Sequence, residues 1–223
     1  MGSGMQPILR TPLILLAVAD LILLGTRLWP WQDVINLPGN GTAGIDPAVC
    51  LAAYIGIILL IASTRQEPTR KALRSGTMLG LLGGVILAGE VLLKDQEANQ
   101  GSIPPVLWTR GLLVVAVLLW GIAGWRSAQA TGNNFLGMLT GTWSAMVSCL
   151  MASTAVLAEM YLAGPPPVSQ DPWKQYEGLA IGDPATQALV HSLNSTTSFL
   201  IVGPLAGAAI GFLVSSLGQN RKS

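Results

Sequence analysis

The 19 residues from Ser75 to Leu93, closed by Arg74 and Lys94, form an unbroken apolar run that carries one charge, Glu90. At about 1.5 Å per residue, a helix of that length spans roughly the ~30 Å hydrocarbon core of a bilayer. It lacks the polar face that a helix on the surface of a soluble protein shows. Gly76, Gly80 and Gly84 recur every fourth residue, and Gly76, Gly83 and Glu90 lie seven apart, so the acid shares a broad face with the glycines. Small-residue faces are where helices approach each other in lipid. Glu90 is therefore expected to point into a helix bundle, and an intramembrane acid is by default a functional hypothesis.

The rest of the chain follows the same plan. Its 51% hydrophobic and 10% charged content is far from the roughly 25% charged residues of soluble domains, and its 223 residues suit one domain. Six apolar spans can be drawn at about Ile8–Trp29, Pro47–Thr64, Ser75–Leu93, Pro104–Trp125, Phe135–Gly164 and Pro184–Leu217. The expected fold is an all-α polytopic membrane protein, one bundle of six transmembrane helices over residues 1–223, with Pro204 as the expected kink in the last span. If the spans alternate, Arg10, Arg65, Arg70, Lys71, Arg74, Arg126, Arg221 and Lys222 fall on one side. The other side holds Arg27, Lys94, Arg110 and Lys174 together with seven acids in or beside its loops. The positive-inside rule then puts both termini in the cytoplasm. The expected location is the cell (inner) membrane of a bacterium, with the lipid bilayer as first partner and other membrane subunits or a second copy as further partners.

Smaller signals fit this frame. Asp46-Pro47 and Asp183-Pro184 place an N-cap before a proline at the first helical position, and Pro104-Pro105 opens a third outer helix end. The outer loops carry Trp31, Trp173 and Tyr176, which suits ordered or interface-lying segments. Cys50 and Cys149 each sit in an apolar span and are expected as free thiols. Asn40-Gly41-Thr42 matches a glycosylation sequon of little weight, and residues 1–4 before Met5 read as an expression remnant.

Each odd-numbered span carries one acid: Asp20, Glu90 and Glu159. In the fifth span Gly141, Ala145, Ser148, Ala152, Ala155 and Glu159 keep to one face, so small residues again surround the acid. Asp20 falls near mid-membrane, where an aspartate is disfavoured by roughly 2.5–3.5 kcal/mol on insertion scales. The sixth span opens with His191, Asn194, Ser195 and Ser198, a polar helix face. These groups are expected to share an outward-opening cavity with Glu90 and Glu159, with Asp20 at its floor and Arg110 as a charge partner.

Catalytic signatures are scarce. There is no Gly-x-Ser-x-Gly, no His-Glu-x-x-His, no phosphate-binding glycine loop and no clustered metal ligands, and one histidine excludes bis-histidine haem ligation within the chain. A net charge of +1 without a long basic run gives no case for nucleic acid. No cofactor is assigned, since quinone, carotenoid or lipid contact leaves no readable signature. Three functions remain. A small-solute or proton-linked permease or channel-like protein explains a polar cavity, a non-catalytic subunit of a larger membrane complex explains the small-residue faces, and an intramembrane enzyme would pair an acid with His191 for proton transfer.

Overall fold

The structure, a computed structural model, describes residues 6–28, 45–62, 66–98, 106–162 and 184–219. These form six helices and, among the described residues, no strand: α1 (Gln6–Leu28), α2 (Ile45–Ala62), α3 (Glu67–Ala98), α4 (Val106–Thr131), α5 (Asn134–Leu162) and α6 (Pro184–Gln219). Each contains most of one expected span. Trp31, Trp173, Tyr176, the Asn40 sequon, Arg65, Arg221, Lys222 and residues 1–4 lie outside the described residues.

Four helices, α3 to α6, are long and apolar enough to cross a membrane. The described apolar stretches of α1 and α2, Thr11–Thr26 and Asp46–Ile61, are shorter. The largest departure from expectation is at the start of α3. Arg70, Lys71 and Arg74 belong to its first turns and not to a loop, because Glu67 and Pro68 open a helix there. Glu67 complements the helix dipole and pairs with Arg70 at 3.7 Å.

α5 is the hub. It packs against α1, α3, α4 and α6, while α2 touches α1 and α6. Within its spanning segment 67% is buried, against 28% for α6 and 39% for α3 and α4. Glycine contacts set the directions. Gly76, Gly80 and Gly84 meet Thr140, Ser144 and Met151 in rising order, so α3 and α5 run parallel. Gly203, Gly207 and Gly211 meet Cys149, Ala145 and Gly137 in falling order, so α6 runs against α5. α4 joins α5 through a tight hairpin: Gly132 adopts φ +67°, its N–H donates to the Ala128 carbonyl at 2.8 Å, and Asn133 Oδ1 caps α5 by accepting from the Phe135 N–H at 2.9 Å.

Two modes of contact coexist around α5. Toward α3, α4 and α6 the backbones nearly touch: a Cβ on Gly80 would lie 2.7 Å from the Ser144 carbonyl oxygen, and one on Gly141 2.7 Å from the Gly207 carbonyl oxygen. Polar side chains join the same helices. Trp120 Nε1 donates to Ser148 Oγ at 3.0 Å, Ser148 donates to the Gly80 carbonyl at 2.8 Å, and Trp143 Nε1 donates to Thr77 Oγ1 at 2.8 Å. Toward α1 and α2 the contacts are large and apolar, built from Leu13, Leu24, Leu51, Ile58, Leu150, Leu157, Leu193 and Leu200.

A polar bond crosses this second region, and proline explains it. α6 runs as one helix through Pro204, which has no N–H to give the carbonyl four residues back, that of Leu200. Tyr54 of α2 supplies the missing donor, its hydroxyl reaching the Leu200 oxygen at 3.0 Å from a buried position. A buried carbonyl has no water to turn to, so an outside donor of this kind is what makes an interior proline tolerable.

Candidate functional site

The helix contacts put the sequence-selected residues at one level of the bundle. Along α5 the Gly84–Met151 contact places Glu90, six residues further on α3, opposite the stretch that ends at Glu159. Because α6 runs the other way, the Gly203–Cys149 contact brings His191, Asn194 and Ser195 to that level too. Arg110 lies ten residues before Trp120 on antiparallel α4, so it also reaches this end. Asp20 stands beside Thr154 of α5, at the lower edge of the same layer.

Depth is shared, but direction is not. Asp20 is 0% exposed and Glu90 7%. Glu159 and Ser195 are half-buried, whereas Arg110, His191, Asn194 and Ser198 are exposed on the flanks of the bundle. The expected inward-looking polar face of α6 is therefore corrected: three of its four residues, His191, Asn194 and Ser198, look outward. The physical reason is the rotation of α6. Leu193, Thr196, Leu200, Gly203, Gly207 and Gly211 occupy its buried face, and once the glycines are set against α5 no freedom is left to turn the polar face inward.

Asp20 stands out among these groups. It sits on the buried face of α1 with Leu13, Ala17 and Leu24, at i, i+3, i+4 spacing. Among the described residues neither carboxyl oxygen accepts a hydrogen bond. Thr154 is near enough to be a partner, yet its hydroxyl hydrogen is committed to the Leu150 carbonyl at 2.9 Å, so the oxygen turned toward Asp20 offers lone pairs and not a proton. A buried carboxylate without a donor or a cation is among the most unfavourable arrangements a protein interior can hold.

Other chemistry is sparse. Cys149 is buried, Cys50 is half-buried, and both are free thiols, as expected. Among the described residues no three His, Cys, Asp or Glu side chains gather as metal ligands would. Thr154, Tyr54, Trp120 and Trp143 were not legible as site or bonding residues. A threonine or tryptophan inside an apolar run reads as neutral filler, and only the partner across the interface shows its use. Comparison with protein-family models, curated proteins and solved structures finds no match for the chain.

Proposed function

We propose that the protein crosses the membrane six times with both termini in the cytoplasm and acts as a small proton-linked permease. The observation that carries this reading is Asp20, a fully buried carboxyl on a helix packed in apolar surroundings, with neither oxygen hydrogen-bonded. An acid so placed is disfavoured by ~3 kcal/mol on insertion scales, and a residue kept at that cost is by default a functional candidate. α1 and α2 complete the count of six: they lie against α5 and α6 among apolar side chains, and their exposed flanks, such as Leu15, Ile22, Val49 and Leu60, are as apolar as those of the four longer helices.

Flux across a vesicle wall tests the proposal. Purified protein in liposomes loaded with a pH-sensitive dye, under an imposed potassium diffusion potential, is expected to carry protons inward faster than empty vesicles. Asp20→Asn, which keeps the size of the side chain, is expected to reduce that flux to the background. Wild-type protein indistinguishable from empty vesicles, with and without candidate solutes outside, would rule the reading out.

A second reading draws on a different observation. Arg110, His191, Asn194 and Ser198 present polar groups on the flank of a bundle whose other exposed residues are largely apolar. That surface suits a neighbouring membrane subunit better than lipid. Extraction in mild detergent followed by native mass measurement separates the two: a stable single chain supports the permease, and a partner lost on Asn194→Leu supports the subunit.

A further inference from the structure

The geometry around Asp20 points to the identity of the ion it takes. Resting on the permease reading, we propose that Asp20 and Thr154 together form a proton site, in which a carboxylic acid on α1 donates to the hydroxyl oxygen on α5, and that sodium is not its ligand.

The argument is one of matching donors to acceptors. Thr154 Oγ1 spends its hydrogen on the Leu150 carbonyl, so the side facing α1 is an acceptor. A carboxylate opposite is also an acceptor, and two acceptors face each other only if something positive lies between them. A proton meets that need with these two residues alone: it leaves a water or hydronium ion, one O–H bond breaks there, one forms on an Asp20 oxygen, and the new O–H donates to Thr154. No other atom is gained or lost. A sodium ion needs a shell of several oxygens. The rest of the buried face of α1, Leu13, Ala17 and Leu24, supplies none.

The remaining titratable groups leave this assignment in place. Of the helices packed on α1, α2 carries the exposed Asp46 in its first turn, Cys50 and Tyr54, and the Tyr54 hydroxyl is committed to the Leu200 carbonyl. α5 carries Cys149, buried where Gly203 of α6 crosses it, and Glu159, five residues beyond Thr154 toward the end of the helix. Further round, α3 carries the buried Glu90 and α6 the exposed His191. Glu90 of α3 and Glu159 of α5 lie further along the bundle than Thr154, beyond the level of Asp20.

Infrared spectroscopy reads the site without any transport assay. In ester-free detergent the wild-type protein is expected to show a carboxylic-acid C=O band that moves down in heavy water, disappears in Asp20→Asn and is unchanged when sodium is replaced by a bulky organic cation. Thr154→Val, which keeps shape and removes the acceptor, is expected to shift that band up, and Thr154→Ser to restore it. The proton assignment is overturned if Asp20→Asn removes no acid band, if sodium converts the band into a carboxylate one, or if Thr154→Val leaves it where it was. Should Asp20→Asn fail to fold, the sodium exchange and the Thr154 pair decide alone. A band without proton flux in liposomes leaves the site standing and defeats the permease; flux with a sodium-dependent carboxylate does the reverse.

Discussion

The glycine-rich half of the bundle, α3 to α6, and the pair α1–α2 solve the same problem in different ways. In lipid, helices gain little by hiding apolar surface from one another, because the tails are as apolar as leucine; they associate through fit and through hydrogen bonds between side chains. α3 to α6 use backbone fit. Gly76, Gly80, Gly124, Gly137, Gly141, Gly207 and Gly211 meet backbone atoms of the next helix, although Gly89 and Gly111 meet none, and indoles and hydroxyls join the helices across the gaps. α1 and α2 rely on leucines, isoleucine and one phenol, and their own glycines touch nothing: no atom lies within 4 Å of a Cβ built on Gly25 or Gly56. A backbone contact has no side chain to rearrange, so the first region is expected to be the stiffer frame and the second the more deformable attachment. Asp20 sits on the α1 side, on the face turned to α5, where the proposed proton exchange would place it.

That contrast makes graded predictions. The largest effect is expected for Gly80→Leu. Its side chain would start 2.7 Å from the Ser144 carbonyl and 2.8 Å from Val147 Cβ, beyond the ~1–3 kcal/mol of ordinary overpacking, and no monodisperse protein should be recovered in detergent. Normal thermal stability of this variant would break the comparison at its root. Next comes Leu24→Ala on α1, expected to cost about 2 kcal/mol, the lower end for a buried leucine because lipid already solvates apolar groups well. Hydrogen exchange should rise in α1 and α2 while α3 to α6 stay protected; equal loss in both regions would show that the halves are not separable.

Tyr54→Phe removes only the donor to the Leu200 carbonyl and should cost about 1 kcal/mol. Pro204→Ala restores a backbone donor to that carbonyl, so in its presence Tyr54→Phe should cost nearly nothing. A thermal-unfolding double-mutant cycle measures the difference, and additive effects would mean that the tyrosine does not serve the proline. The smallest effect is expected for Gly25→Ala and Gly56→Ala, which should be neutral or stabilising by up to ~1 kcal/mol, since alanine is the better helix former and meets no neighbour. Marked destabilisation by either would place an unseen contact on the α1–α2 side.

Much of the fold was legible along the chain. Long apolar runs, broken by proline, aspartate and glycine, located six helices, but the third and fourth run on past the expected ends, because the basic residues before Ser75 and the polar residues after Leu93 and Trp125 read as loops although the helices span Glu67–Ala98 and Val106–Thr131. The level of each candidate was legible as well, because counting residues along a helix measures height. The common cavity was not. Whether His191 or Leu193 faces inward is a matter of a 200° turn about one axis, and both choices fit the same hydropathy.

What the sequence determines here is local: each backbone hydrogen bond is made within four residues, and each side chain's preference for lipid is its own, so helices, their lengths and their glycine stripes follow from neighbours in the chain. What the tertiary structure decides is pairwise and distant. That α5 is the hub, that α6 turns its glycines to α5 and so its histidine outward, that Tyr54 answers a proline 150 residues away, and that the Thr154 hydroxyl gives its hydrogen to the Leu150 carbonyl, all depend on how one helix surface fits another or on the turn a side chain takes within it. Such fit is a property of two surfaces together and is written in neither alone.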